Sequence, residues 1–169
     1  MCIRDSQQGT DHTFNSQQKA ITEKDRADLK AITDLKPEFI ALSFIKDATD
    51  ITELRTDLKA ITNSQAKIIA KIERQEALNN LDDIITAADA IMIARGDLGD
   101  AVPVETLPFI KKDIIRRCLK QGKPAIVATD MLTSMIENPK PSRADVSDIT
   151  HAVLDGASAT ILLLSLIHI

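Results

Sequence analysis

AIMIARGDLG, residues 90–99, joins an apolar run directly to a charged turn that lies between two glycines. A short, continuous apolar run is typical of a parallel strand that is covered on both faces. The turn that follows, Arg95-Gly96-Asp97, places an arginine and a carboxylate at the end of that strand. Its glycines let backbone N–H groups approach an anionic ligand closely. The stretch therefore predicts a buried strand with a polar site at its carboxyl end.

Apolar runs of strand length and amphipathic helical patterns alternate along the rest of the chain. The other runs are EFIALSFI (38–45), AKIIAKIE (66–73), PAIVAT (124–129) and ATILL (159–163). Helical spacing covers 22–33, 51–61, 77–88, 104–122 and 142–156, with Thr22 and Ser142 as predicted N-caps. This alternation predicts an α/β fold with right-handed crossovers. A doubly wound sheet and a (β/α)₈ barrel both fit it.

Composition excludes several classes of function. The 169 residues carry a net charge of −4 and include four Phe but no Tyr or Trp, so they lack the basic, aromatic surface of a nucleic-acid groove. No apolar run approaches the length of a membrane helix, and the polar start is unlike a secretion signal. Two cysteines make no disulfide framework, so we expect a cytoplasmic protein without nucleic-acid or membrane partners.

The two ends of the chain, MCIRDS (1–6) and LSLIHI (164–169), are related through their coding DNA. One strand of a short DNA element can encode the first, and the opposite strand of the same element encodes most of the second. Such a pair is typical of a sequencing adapter that has been translated in frame. We therefore expect residues 1–6 and 164–169 to be adapter-derived and residues 7–163 to be an internal part of a longer protein.

Charged and hydroxyl side chains follow three consecutive predicted strands. Lys71 and Glu73 stand two residues apart, so their side chains leave the same face of a strand. The next strands end at Asp97 and Thr129, and parallel α/β folds gather their active sites at such carboxyl ends. Glu73 and Asp97 could share one hard cation that keeps several waters or substrate oxygens. Lys71 would then add a positive charge suited to phosphoryl oxygens.

Four motifs in order resemble the barrel domain of the pyruvate kinase family over residues 20–163. They are K-I-E (71–73), M-I-A-R-G-D-L-G (92–99), A-T-x-M-L (128–132) and N-P-x-P-S-R-A (138–144). The resemblance implies an incomplete TIM-type parallel barrel with about five of eight strands, residues 7–163 being part of the catalytic domain. It also implies an enzyme that transfers a phosphoryl group from phosphoenolpyruvate to ADP in the last step of glycolysis. The segment alone is expected to be inactive.

The resemblance assigns catalytic and metal-binding roles to the strand-end residues. Lys71 matches the lysine that stabilises the transferring phosphoryl group, and Glu73 and Asp97 match the ligands of Mg²⁺ or Mn²⁺. Thr129 matches a substrate contact near the carbon that is protonated. The family also uses K⁺, most of whose ligands would lie before residue 7.

Further assignments concern the substrates and the assembly. The resemblance implies that the Arg95-Gly96 turn offers backbone amides to the substrate carboxylate and that Lys24 reaches the phosphates of ADP or ATP. It also implies a homotetrameric parent enzyme. The sequence departs from the family pattern at Asp130, at Asp100-Ala101 and at His151, which bears on fine specificity and local hydrogen bonds.

Two other functions remain open from the residues alone. A metal-dependent aldolase or lyase on a similar barrel would also use a Glu- and Asp-bound metal to stabilise a pyruvate enolate. Lys71 and the ARGDLG string (94–99) favour the kinase over that alternative. An adhesion module would present Arg95-Gly96-Asp97 on a surface loop, although a tripeptide of this kind also occurs by chance.

Overall fold

A computed structural model describes residues 2–3, 20–32, 35–62 and 65–162. Within these residues, six strands form one parallel sheet in sequential order. The strands are β1 Cys2–Ile3, β2 Phe39–Leu42, β3 Lys67–Ile72, β4 Ala90–Ala94, β5 Ala125–Ala128 and β6 Ala159–Thr160. Strands β2 to β6 confirm the five predicted strands. Strand β1 was not predicted; it lies in the segment assigned to the adapter and pairs with Ala41–Leu42.

Helices alternate with the strands as the sequence predicts. They are α1 Glu23–Ala31, α2 Ala48–Asp57, α3 Gln75–Asn79, α4 Leu81–Ala87, α5 Arg95–Ala101, α6 Leu107–Lys120 and α7 Arg143–Leu154. A π-helical turn, Leu58–Thr62, extends α2, and 3₁₀ turns occupy Val104–Thr106 and Thr133–Ile136. Thr22 and Ser142 cap α1 and α7 through capping boxes with Asp25 and Asp145, which confirms both predicted N-caps.

Three helical predictions need correction. The helix predicted over 77–88 is interrupted at Asn80, whose side-chain amide donates a hydrogen bond to the carbonyl of Lys46 at 3.0 Å. The pattern at 104–122 begins with a 3₁₀ turn, and the α-helix itself starts at Leu107. The predicted turn at 95–97 is the first turn of α5, because helix α5 follows β4 with no intervening loop.

The strand order decides between the two sheet architectures left open by the sequence. Right-handed crossovers between strands in unbroken sequential order place every connecting helix on the same face of the sheet. A doubly wound sheet needs a reversal of strand order, and none occurs from β1 to β6. The described sheet is therefore part of a TIM-type barrel, with its helices outside.

The two faces of the sheet differ in burial. Ile68, Ile72, Ile91 and Val127 are 0% exposed and belong to the core between the sheet and the helices. The side chains on the opposite face are only half buried. They belong to neighbouring strands and include Ile69, Lys71, Met92 and Ile126. The predicted cover on both faces is provided in a barrel by helices on one face and by the side chains of the barrel interior on the other. Among the residues described, no helix has both the length and the apolarity to cross a membrane.

Candidate active site

Polar residues follow the carboxyl ends of four neighbouring strands. Ser43 comes directly after β2, Glu73 after β3, Arg95 after β4 and Thr129 after β5. Neighbouring parallel strands end at the same edge of the sheet, so these four residues meet there. The predicted placement of the site at this edge agrees with the architecture of the sheet.

Lys71 and Glu73 form a buried ion pair at this edge. Lys71 Nζ lies 2.7 Å from Glu73 Oε1, and the two side chains are 13% and 0% exposed. Lys71 Nζ also donates a hydrogen bond to Ser43 Oγ at 2.9 Å. The pairing of Leu42 with Ala70 places Ser43 beside Lys71 on the adjacent strand. Ser43 was not among the predicted site residues, although alignment of the strand ends would have shown it.

The loop after β2 supplies a second contact to Glu73. The backbone N–H of Phe44 donates to Glu73 Oε2 at 2.6 Å, and Phe44 has a positive φ of 55°. A bulky residue in the left-handed region is strained, and such strain persists where surrounding contacts hold it. Burial raises the pKa of the Glu73 carboxyl, and the charge of Asp97 raises it further, while Lys71 and the Phe44 amide lower it.

Glu73 and Asp97 have the chemistry of a site for a hard cation. Glu73 Oε1 is a buried oxygen without a hydrogen-bond partner, although the Lys71 ammonium is in ion-pair contact with it. Asp97 is exposed in the first turn of α5, and its charge acts on Glu73. No group of three or more His, Cys, Asp or Glu side chains suited to a metal occurs in residues 20–32, 35–62 and 65–162. Two carboxylates suit Mg²⁺ or Mn²⁺, which complete their shells with water or ligand oxygens.

The Arg95 side chain is bound by the protein itself. Its guanidinium donates to Asp148 Oδ2 on α7 at 2.6 Å, to the carbonyl of Ala128 at 3.3 Å and to the carbonyl of Thr129. The side chain is only 11% exposed. Arg95 is thus a bridge between α5, the end of β5 and α7. This geometry disfavours the adhesion alternative, which needs an arginine side chain displayed to a partner.

Thr129 and Gly96 contact each other across β4 and β5. The Gly96 N–H donates to Thr129 Oγ1 at 2.9 Å, and that hydroxyl donates to the carbonyl of Ala128 at 2.6 Å. Thr129, Asp130 and Leu132 all have positive φ, at 66°, 53° and 58°. For the β-branched Thr129 this backbone conformation is an outlier. The sequence gives no glycine in this loop that would have indicated it.

Gly96 and Gly99 have no packing reason to be glycine. A Cβ added at Gly96 would lie 3.8 Å from Thr129 Oγ1, and one at Gly99 would lie 3.7 Å from Leu107 Cδ2, both ordinary contacts. Each glycine costs a helix interior about 1 kcal/mol relative to alanine. The glycines therefore leave the first turns of α5 open to a closely approaching ligand.

Lys24 lies on a different element from the other predicted residues. It belongs to the first turn of α1, its side chain is 68% exposed, and its ammonium pairs with Asp28 Oδ2 at 3.1 Å. Lys24 is therefore an exposed residue of a helix. A role towards nucleotide phosphates is considered below.

Comparison with known proteins identifies the family. The family model described as "Pyruvate kinase, barrel domain" matches residues 9–165. The chain is 46% identical to a pyruvate kinase of Clostridium perfringens over 143 residues, which cover 85% of this chain and 30% of that protein. It is 48% identical to a pyruvate kinase of Geobacillus stearothermophilus over 142 residues, covering 84% and 24%.

A plant relative shows the same pattern. The chain is 49% identical to the chloroplastic pyruvate kinase isozyme G of Nicotiana tabacum over 143 residues, covering 85% of this chain and 25% of that protein. The matched segment thus spans 24% to 30% of the length of these curated relatives. Strand order and sequence similarity agree: the chain belongs to the pyruvate kinase family and corresponds to part of its barrel domain.

Proposed function

We propose that the complete protein transfers the phosphoryl group of phosphoenolpyruvate to ADP, giving pyruvate and ATP. The observation that carries this proposal is the buried Lys71–Glu73 ion pair beside the charge of Asp97. A fixed cation and two carboxylates suited to a hard metal are the groups that phosphoryl transfer requires. The family assignment leaves the aldolase or lyase alternative without support.

Glu73 and Asp97 are the residues that would hold Mg²⁺ or Mn²⁺. When bound, the ion supplies neutralisation of the negative charge on the phosphoryl and carboxylate oxygens of the substrate. Lys71 supplies a positive charge that is already desolvated and oriented by Glu73 and Ser43. A preorganised ammonium of this kind stabilises charge that develops in the transition state without reorganisation at the moment of reaction.

The reaction breaks the bond between phosphorus and the enol oxygen of phosphoenolpyruvate and forms a bond to a terminal oxygen of ADP. The electron pair stays on the enol oxygen, and the resulting enolate takes a proton at its terminal carbon to become the methyl group of pyruvate. The Gly96 N–H now donates to Thr129 Oγ1, and the substrate carboxylate would replace that hydroxyl oxygen as its acceptor. We assign Thr129 a further role in directing the proton, because a hydroxyl both donates and accepts.

Further roles in the parent enzyme are part of the same proposal. Lys24 would contact nucleotide phosphates with a charge carried on an exposed helix turn. We also propose a requirement for K⁺, a homotetrameric assembly and a catalytic domain that includes residues 7–163. Curated relatives include chloroplastic enzymes as well as bacterial ones, so a cytoplasmic location stays a prediction.

The test uses the complete protein, expressed from the gene extended beyond both ends of this sequence. Replacing Asp97 by asparagine should lower kcat for pyruvate formation at least about 100-fold and weaken Mn²⁺ binding measured by electron paramagnetic resonance. Asp100→Asn is the matched control, because Asp100 is an exposed acid on the same helix. It should change kcat less than about twofold. Near-normal turnover in the Asp97→Asn protein would refute the assignment.

A further inference from the structure

Asp148 of α7 is linked to Thr129 of the proposed active site through the side chain of Arg95. We propose that Asp148 is a positioning residue for Thr129: it orients the Arg95 guanidinium, which in turn holds the backbone of Thr129 in its left-handed conformation. The inference rests on the proposed function for its kinetic part, and the geometry of the residues supports it independently of activity.

The first step concerns the backbone of Thr129. Its φ of 66° is unusual for a β-branched residue, and Asp130 follows with a φ of 53°. Such conformations persist only where neighbouring groups over-determine them. The turn at Thr129 and Asp130 therefore needs contacts to its backbone that hold this conformation.

Arg95 makes those contacts. Its guanidinium binds the carbonyl oxygens of both Ala128 and Thr129. These two carbonyls belong to the peptide planes on either side of the Thr129 Cα, so fixing both planes fixes φ and ψ of Thr129. The planar fork of an arginine, with its several N–H donors, is suited to binding two oxygens at once.

Asp148 supplies the counter-charge that orients this arginine. Asp148 Oδ2 accepts a hydrogen bond from Arg95 Nη1 at 2.6 Å, and the arginine side chain is 11% exposed. Among the ion pairs of the described residues, Asp148 is the carboxylate that pairs with Arg95. A buried guanidinium that loses its carboxylate moves towards water, which would release one or both carbonyls.

The consequence for the site lies in the Thr129 hydroxyl. In the held conformation Thr129 Oγ1 accepts the Gly96 N–H at 2.9 Å, which places the hydroxyl beside the amide proposed to bind the substrate carboxylate. Release of the backbone would displace the hydroxyl without touching Glu73 or Asp97. Displacement of about 1 Å in a reacting group is enough to slow a reaction strongly.

The experiment compares Asp148→Ala with Asp89→Ala in the complete protein. Asp89 is a matched control, because its side chain is also 31% exposed and pairs with an arginine, Arg55, at 3.0 Å. It lies at the opposite edge of the sheet, where it accepts the N–H of Ile68. Four quantities are measured: kcat, deuterium incorporation into the methyl group of pyruvate, Mn²⁺ affinity and thermal stability.

Asp148→Ala should lower kcat and the deuterium incorporation rate about tenfold or more, with the Mn²⁺ affinity within about twofold of the wild type. Asp148→Glu, which keeps the carboxylate, should restore part of the rate. Asp89→Ala should lower thermal stability but leave kcat within about twofold. Equal loss of rate in the Asp148→Ala and Asp89→Ala proteins would overturn the inference, because it would indicate general destabilisation.

A crystal structure of the Asp148→Ala variant separates this inference from the proposed function. Thr129 should leave the left-handed region and lose its bond to Gly96. If Thr129 keeps its φ near 66° and that bond, the inference is overturned whatever the activity. If the wild-type protein fails to transfer phosphoryl groups, the proposed function is wrong, and the conformation of Thr129 in the variant still decides the positioning role.

Discussion

Replacing Lys71 by methionine should leave the Glu73 carboxylate buried without its counter-charge. The Glu73 side chain is 0% exposed, so water cannot replace the lost ammonium. Removal of one partner from a buried pair costs about 3–5 kcal/mol, because the remaining charge is uncompensated. Methionine keeps most of the length of the lysine stem, so the packing contribution changes little. We therefore expect a loss of about 3–5 kcal/mol in the free energy of unfolding of the complete protein.

Urea-induced unfolding provides the measurement, with two matched variants. Lys67→Met removes an exposed lysine of the same strand, which lies 5.9 Å from the ring centre of Phe39, and should cost less than about 1 kcal/mol. Lys71→Met combined with Glu73→Gln removes both charges and keeps an acceptor for the Phe44 N–H, so it should recover most of the loss. A Lys71→Met protein as stable as the Lys67→Met protein would refute a buried, ionised Glu73.

Three further predictions concern other parts of the chain. Gly96→Ala should raise the free energy of unfolding by less than about 1 kcal/mol, because Gly96 lies in the first turn of α5 and the new methyl group would make only ordinary contacts. The same substitution should raise the KM for phosphoenolpyruvate, and an unchanged KM would argue against a ligand at this turn. Hydrogen bonds from Ser134 and Ser142 lower the pKa of Asp145 to about 2, whereas an Asp in the unfolded chain has a pKa of ~3.9. The ionised carboxylate therefore stabilises the fold fully at a pH above ~3.9, and this stabilisation is lost as the pH falls towards about 2. Between pH ~3.9 and about 2, the free energy of unfolding should therefore fall less in the Ser134→Ala protein than in the wild type. Unfolding followed by circular dichroism at each pH measures this, and an equal fall in the two proteins would contradict the prediction. The 169-residue chain alone should show no phosphoenolpyruvate- and ADP-dependent pyruvate formation in a coupled assay; measurable turnover would contradict the expectation.

The strands and the capped helices could be predicted because their signals are local. Continuous apolar runs identified β2 to β6, and a hydroxyl followed by an acid identified the starts of α1 and α7. The break at Asn80 could not be predicted, because it accompanies a hydrogen bond to Lys46, which lies 34 residues away in the sequence. Helix α5 was missed for a different reason: its two glycines have low helix propensity, and the surrounding structure overrides that preference.

The candidate site was predictable to the extent that it depends on strand periodicity. The two-residue spacing of Lys71 and Glu73 placed both side chains on one face, and the ion pair confirms that prediction. The contact of Ser43 with Lys71 depends on the register of β2 against β3, which a single strand pattern does not contain. The side-chain contacts of Arg95 join residues that are 33 to 53 positions apart, so only the assembled fold shows them.

Backbone strain and local sequence preference point to the same edge of the sheet. Five non-glycine residues have positive φ within the described part of the chain, and four of them, Phe44, Thr129, Asp130 and Leu132, follow the carboxyl ends of β2 and β5. The fifth, Lys36, precedes β2 and is followed by a proline.

Backbone conformations that disfavour non-glycine residues therefore occur mainly at the carboxyl ends of the strands, where the polar side chains meet. The Phe44 amide reaches Glu73 because its φ is positive, and the Thr129 hydroxyl reaches Gly96 from a backbone that Arg95 holds. Both conformations also precede fully buried core residues, because Ile45 follows Phe44 and Met131 follows Asp130. Backbone strain that aligns hydrogen-bonding groups at one edge of a sheet is typical of a functional site. The same physical argument explains why sequence patterns located this edge but did not describe its loops.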